Sequence, residues 1–355
     1  MSRLRTAALA LCAVCVAGCG AAVSAGTASP SAAPATVRVG YLTNLTHAPA
    51  LIGISKGFFQ QHLPAGTTLQ TTSFSAGPAE NEALVGGSLD AAFVGPNPAI
   101  NAFQKTSGGI RVVAGVASGG AGLVVNAALA GGNFPADLRG QTLASPQLGN
   151  TQDVALRSWL SQHGLTTTVN GGGDVSIDVT SGNAIDLQRF EAGQIAGGWE
   201  PEPYESSYVV AGHGTLVVDE ASLWPGGRFP TTELVVTTTF LTQHPDIVKD
   251  LIRGLLQSLT WIQQNSATAA DAASVALAAV TGSKPLAPAV QQLAWSHLSF
   301  TFDPLASALQ TDANHALHDG LITSGSIKHI VDVSELNSVL ASQGTAPVGA
   351  GGLGS

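Results

Sequence analysis

Phe74-Ser-Ala-Gly-Pro-Ala-Glu-Asn-Glu-Ala-Leu84, Phe93-Val-Gly-Pro-Asn-Pro-Ala-Ile-Asn-Ala-Phe103 and Leu143-Ala-Ser-Pro-Gln-Leu-Gly-Asn-Thr-Gln-Asp-Val-Ala-Leu156 share one construction. Each is a short apolar run that ends in a tight Gly/Ser/Pro/Asn turn and passes directly into a helical pattern. A helix start carries unpaired backbone N–H groups and about half a positive charge. Several such starts meeting in one cleft would hold a small anion without a Lys or Arg.

The pattern extends outward as strand–helix alternation. Strands are predicted at 37–41, 68–74, 91–94, 111–117 and 123–126, with helices at 48–56, 78–85 and 96–105. Gly57 fits the residue that ends the first helix, and Gly86-Gly87 the second. A second unit repeats the theme: strands at 142–144, 176–179, 195–199 and 216–218, with helices at 151–163, 184–192 and 203–210; after it, 233–237 is extended again. Helices at 245–264, 267–280, 287–298, 304–318 and 333–341 complete the chain. In the first of these, Ile247, Leu251, Leu255, Leu259 and Ile262 share a face, which marks it for core packing. The expected fold class is α/β with parallel sheet cores. Its two α/β domains are expected to be joined by two crossings, near 117–123 and 228–235, which make a hinge around a closing cleft. Ligands in such sheets bind beyond the carboxyl ends of the strands, where the three quoted turns fall.

Charge and composition narrow the functional classes. The 355 residues carry a formal charge of −9, only 10 % are charged, and no basic stripe exists to neutralise phosphates, so nucleic acid is not an expected partner. At the N-terminus, Arg3 and Arg5 precede an apolar run from Ala7 to Ala17, followed by Val16-Ala17-Gly18-Cys19. This resembles a bacterial lipoprotein signal, which implies a signal peptide at 1–18, cleavage before Cys19 and lipid attachment to its sulfur. Loss of Arg3 and Arg5 leaves 12 basic against 23 acidic residues, a net charge of −11. Cys12 and Cys15 leave with the signal, so the mature chain would form no disulfide and no thiolate metal site. Residues 19–35, rich in Ala, Ser, Gly and Pro, read as a flexible tether, and 344–355 as a Gly-rich disordered tail. Lobe 1 is expected to comprise 36–117 and 233–343, and lobe 2 118–232.

Taken together, Val37-Arg-Val-Gly-Tyr-Leu-Thr-Asn-Leu-Thr-His-Ala-Pro-Ala-Leu-Ile, Lys56-Gly-Phe-Phe, Ser75-Ala-Gly-Pro, Leu89-Asp-Ala-Ala-Phe-Val-Gly-Pro-Asn-Pro-Ala, Leu148-Gly-Asn-Thr-Gln-Asp and Gly198-Trp-Glu-Pro resemble the periplasmic-type solute-binding proteins of ABC importers. The nearest branch is that of the aliphatic sulfonate, taurine and nitrate binding proteins, and the resemblance spans residues 36–342. It implies a two-lobed periplasmic-binding-protein-like fold (type II), no catalysis, no cofactor and a monomer on the extracytoplasmic membrane face. It further implies a small anionic or zwitterionic ligand and delivery to an ABC permease. Members that hold nitrate-like ions often place a basic side chain in the pocket. The quoted turns contain none, and only Arg228 could approach, which puts a sulfonate ahead of nitrate. A thiamine-precursor pyrimidine would need more aromatic wall. The alternative class, an exported enzyme on the same scaffold, has only Glu200 with His47 as a candidate pair. No nucleophile elbow, His-Glu-x-x-His or phosphate loop is present.

The candidate ligand-binding residues follow from the turns. Ser75 fits an N-cap before Pro78, and Gly77 lets the backbone approach a ligand. Gly95 and Asn97 sit in a turn fixed by prolines, with Asn97 offering a donor and an acceptor. Gly149, Asn150 and Thr151 form the second-lobe turn, whose helix start Asp153 supports electrostatically. Trp199 offers a flat wall for an alkyl chain, or is a core residue. Glu200 and Glu202 are awkward beside an anion: either one turns away, pairs with Arg228, or reads an amine on a zwitterion such as taurine. Asn44 and His47 precede the first helix, where His47 either lines the pocket or caps, and Thr231 and Thr232 are donors at the second crossing. His315 and His318, three residues apart, have no nearby carboxylate support beyond Asp319, and a metal site there is not expected.

Overall fold

The computed structural model describes residues 34–170, 172–180 and 182–354. The signal peptide, Cys19 and nearly all of the tether lie outside the described residues. In chain order the elements are β1 (Thr36–Leu42), α1 (Ala48–Ser55), α2 (Phe58–His62), β2 (Thr68–Phe74), α3 (Gly77–Val85), β3 (Ala91–Val94), α4 (Pro96–Lys105) and β4 (Ile110–Gly119). They continue with β5 (Ala121–Asn126), β6 (Thr142–Ala144), α5 (Thr151–Gln162), β7 (Ser176–Asp178), α6 (Asn183–Glu191), β8 (Gly197–Pro201), α7 (Tyr204–Val210) and β9 (Gly214–Asp219). The last third holds β10 (Pro230–Thr237), α8 (Thr238–Gln243), α9 (Pro245–Gln264), α10 (Ala269–Thr281), α11 (Pro288–Ser296), β11 (Leu298–Phe300), α12 (Ala306–His318) and α13 (Ser334–Ser342).

Two sheets result, in the orders β11-β4-β10-β3-β1-β2 and β7-β6-β8-β5-β9. In the first, β1 pairs in parallel with β2 and β3, whereas β10 runs antiparallel to β3 and β4. In the second, β6 pairs in parallel with β7 and β8, and β5 runs antiparallel to β8 and β9. The chain leaves the first sheet after β4 and returns with β10, so it crosses twice. Gly119 and Gly120 make the first crossing with φ of 81° and 75°. A Cβ on Gly119 would stand 2.6 Å from the His297 carbonyl oxygen, so neither the dihedral nor the space admits a side chain.

The cores follow the strand pleat. β3 is buried at all four positions, as a strand covered on both faces must be. Around it, Val39, Tyr41, Phe93, Ile100, Val235, Ile252 and Leu255 join one large core. Across the second sheet, side chains alternate between two faces. Leu123, Val125, Trp159 and Trp199 pack on one face, and Val124, Phe190 and Tyr208 on the other. Residues 344–354, expected to be disordered, are ordered instead. Leu353 is buried, its carbonyl accepts from Val331 N at 3.2 Å, and Val348 exchanges two hydrogen bonds with Asn337. The apolar residues spaced among the glycines supply the contact that the Gly content conceals. Among the described residues, no helix is long and apolar enough to cross a membrane.

Candidate functional site

The turns after β2, β3 and β6 place the starts of α3, α4 and α5 at the carboxyl ends of their strands. α3 and α4 follow first-sheet strands, and α5 follows a second-sheet strand, yet the three starts meet. A Cβ on Gly77 would lie 3.1 Å from Asn150 Oδ1 and 2.6 Å from Pro98 Cγ. A Cβ on Gly95 would fall onto Thr151 Oγ1 and lie 3.5 Å from the Thr231 carbonyl. The two glycines are what let the lobes touch. At the contact, the Thr151 hydroxyl is buried and has no hydrogen-bond partner among the described residues.

The second-lobe turn is held by a buried ion pair. Asp153 Oδ2 accepts from Gly149 N at 2.8 Å, and its Oδ1 accepts from Ser145 Oγ at 3.1 Å and from Arg157 Nε at 2.9 Å. Gly149 takes φ of 75° to make the turn. Arg157 in turn donates to the Thr168 carbonyl at 2.6 Å. Its charge is therefore spent on Asp153, one turn up the helix at i,i+4 spacing. That spacing is legible in Asp153-Val-Ala-Leu-Arg157, but Arg157 was not among the expected site residues.

Asn44 and His47 sit beneath the α4 turn. His47 is buried, its Nε2 donates to the Phe93 carbonyl at 2.9 Å, and its Nδ1 lies 2.7 Å from Asn44 Oδ1. Burial pushes the imidazole down to about 3, so it is neutral. Thr46 Oγ1 donates to Asn44 Oδ1 at 2.6 Å, and Thr232 Oγ1 donates to the Thr46 carbonyl at 3.0 Å. This polar knot fixes the loop after β1 to β10. Thr231 is bound differently, donating to the Gly119 carbonyl at 2.6 Å at the crossing.

Several expected residues stand elsewhere. Ser75 is exposed and caps nothing: α3 starts one residue earlier than expected, so Ala76 holds the cap position. Ser75→Ala should therefore leave the melting temperature within about 1 °C by calorimetry, far below the loss of about 1 kcal/mol that follows removal of a working cap. Asn97 turns its amide to the Asp312 carbonyl at 3.3 Å, towards α12. Trp199 is fully buried in the second-lobe core and donates Nε1 to Glu220 Oε2 at 2.7 Å. It is a core residue, because its place on β8 points it at α5 rather than past the strand end. Glu200, the next residue, points to the opposite face, where Tyr208 Oη donates to it at 3.4 Å. The Arg228 side chain is 57 % exposed and faces Asp303 at 3.7 Å, so no cationic side chain from that loop reaches the helix starts.

Glu202 neither turns away nor meets Arg228. Its Oε1 lies 2.7 Å from His297 Nδ1, which also faces Glu205 Oε1 at 3.0 Å. Hydrogen bonds donated to the two carboxylates hold the imidazole up, at about 10. This triad was not anticipated, because its partners are about a hundred residues apart and meet only after the chain has crossed twice.

Next to the convergence lies a cavity of about 360 Å³ that spans both lobes. Pro78, Asn81, Val85 and Lys105 form one wall, and Leu148, Gly149 and Val169 the other.

A model of the NMT1-like family matches residues 31–278. A Brucella abortus (strain 2308) protein with only a provisional name as a binding protein is 28 % identical over 223 residues, 61 % of this chain. The chain spans 63 % of the length of that curated relative. Among solved structures, the alkanesulfonate-binding protein SsuA from Xanthomonas axonopodis pv. citri bound to MOPS matches with a TM-score of 0.68 and 22 % identity. The match covers 83 % of this chain and 96 % of that one. The periplasmic nitrate-binding protein NrtA from Synechocystis PCC 6803 matches with a TM-score of 0.73 and 15 % identity, over 87 % of this chain and 89 % of that one. At these identities the structures establish the two-lobed periplasmic-binding-protein fold.

Proposed function

The chain belongs to the NMT1-like family, and on that premise we propose that it is the extracytoplasmic solute-binding component of an ABC importer, capturing a small sulfonate between its lobes. The observation that carries this reading is the meeting of Gly77, Gly95, Asn150 and Thr151 around a buried hydroxyl with no partner. A sulfonate spreads one charge over three oxygens, so it can accept from several helix starts at once. The Thr151 hydroxyl adds a donor that is otherwise left unsatisfied. The neighbouring cavity of about 360 Å³ offers Val85, Leu148 and Val169 to an alkyl tail, beside the polar Asn81, Glu82 and Lys105. The likeness to SsuA bound to MOPS, itself a sulfonate, agrees with this choice. Cys19 would carry the lipid anchor, and the closed form is what a membrane permease would recognise. The domain limits proposed for this cycle are 36–117 with 233–343, and 118–232.

The test is a thermal-shift panel of alkanesulfonates, taurine, nitrate, sulfate and pyrimidines. An alkanesulfonate is expected to stabilise most; a larger shift with nitrate or a pyrimidine would transfer the assignment to that ligand. Thr151→Val removes the hydroxyl at constant shape. The ligand-free protein should be as stable or slightly more stable, since no hydrogen bond is lost. Sulfonate affinity should fall about 10- to 100-fold, the equivalent of one charge-assisted hydrogen bond. Titration calorimetry reads both the affinity and the stoichiometry.

A further inference from the structure

A second cavity, of about 270 Å³, lies where α5 of the second lobe faces α12 of the first. Trp159 and Ser158 come from α5, Asp312 and His315 from α12, and Glu220 and Trp224 from the loop that leads back to β10. Its walls thus combine two indole rings with two carboxyl groups. Among the described residues, no Lys or Arg lines it.

The two carboxyl groups differ in how they are satisfied. Glu220 Oε2 accepts from Trp199 Nε1 at 2.7 Å. Asp312 is 5 % exposed, and its Oδ2 has no hydrogen-bond partner among the described residues. Behind Asp312 stands Glu233 on β10, buried with both oxygens unpartnered. Burial raises Glu233 and Asp312 well above the ordinary carboxylate range, and the neighbouring acid adds to it, Asp312 for Glu233 and Glu220 for Asp312. Leaving an acceptor buried without a donor costs about 1–3 kcal/mol, more for a charged group. Asp312 is also one of the residues that line the cavity. Trp224 stands 6.1 Å from His315, ring centre to ring centre, so the aromatic wall is continuous from the loop to α12.

We propose that this cavity binds a small organic ammonium ion that carries an apolar or aromatic body. Asp312 would receive the ammonium, with Glu220 as the second carboxylate, and the faces of Trp159 and Trp224 would take the body of the ligand. Indole faces attract cations as well as apolar surface. At roughly 30 Å³ per water, the volume holds the equivalent of about nine waters, room for one ring with a short aminoalkyl chain. This goes beyond the sulfonate reading. The cavity lies along α5 from Thr151, and its residues are none of those that meet at the helix starts.

The probe is phenethylamine, titrated against its neutral counterpart phenethyl alcohol by calorimetry and by Trp fluorescence, on the whole exported chain at about pH 8. The amine is expected to saturate the fluorescence change and to bind at least about 10-fold tighter than the alcohol. Asp312→Asn should abolish that preference while leaving alcohol binding and the alkanesulfonate thermal shift as they were. Equal binding of amine and alcohol, or no saturation up to about 10 mM amine, would overturn the proposal without any variant. An amine preference that survives in folded Asp312→Asn would overturn it as well. Loss of the sulfonate response with the amine preference intact would strike the helix-start site alone, so the two readings fail separately.

Discussion

Heating at about pH 5.5 should unfold this protein several degrees above its unfolding temperature at about pH 8.5. The cause is a set of buried carboxyl groups whose desolvation outweighs the few cations beside them. Burial raises Glu220 to about 8 and both Asp186 and Glu205 to about 7. It raises Glu80, Glu200, Glu233 and Asp312 well above the ordinary carboxylate range too. A carboxyl group whose pKa is higher in the folded chain favours folding at low pH. Its contribution is complete below the unfolded value and is lost as the pH rises through the folded one. Each unit of elevation is worth about 1.4 kcal/mol. His297, raised to about 10, acts in the same sense: its contribution is full below its ordinary value of 6.5 and fades towards 10. His47 opposes this. Lowered to about 3, it contributes above 6.5 and loses that contribution as the pH falls. One histidine against this many carboxyl groups leaves the balance with the acids. Asp178, lowered with Thr180 and Arg189 as its partners, acts only below the ordinary carboxylate range. The optimum therefore falls in mildly acidic solution. Differential scanning calorimetry across about pH 5 to 9 checks it, and a melting temperature that stays level or climbs over that span would contradict the charge state described for these groups.

That acid-rich interior marks the limit of what the chain reveals before it folds. The helix starts were legible because Gly, Pro and Asn act through local backbone geometry: Gly149 takes φ of 75°, and Pro78 and Pro96 sit in the first turns of their helices. The strands and the two crossings were legible for the same reason, since a period of two or of 3.6 is a local property. Ser75 misled because a serine one place before the cap looks like the cap itself. Trp199 was ambiguous because alternation along β8 decides its face, and only the paired sheet fixes which face is the core. Glu233 carries a local clue, a lone acid inside Thr-Thr-Glu-Leu-Val-Val, but Asp312 and Glu220 carry none. The closeness of Asp312 to Glu233 comes from the packing of α12, across a separation of roughly eighty residues. The tail illustrates the reverse error. Composition favoured disorder, while Leu353 and Val348 supplied enough apolar surface to hold it.

Gly95→Val should abolish measurable sulfonate binding, with a loss of about 100-fold or more, while each lobe keeps its fold. Gly95 has φ of −71° and ψ of 160°, a conformation open to any residue. The turn itself therefore does not require glycine. The constraint comes from the opposite lobe: a Cβ here would fall onto Thr151 Oγ1 and lie 3.5 Å from Thr151 Cβ. Valine would wedge α4 and α5 apart at the point where the three starts meet. Its β-branched side chain is stiff and cannot turn away from the contact. The wedge should leave far-ultraviolet circular dichroism unchanged and should enlarge the radius of gyration measured by X-ray scattering. Coupling separates the wedge from a general loss of stability. Gly95→Ala alone should weaken binding, but in a Thr151→Ala background it should add little further loss, because the atom it strikes is gone. Additive losses in that cycle would mean that the two residues do not meet when ligand is held, and capture between touching helix starts would have to be given up.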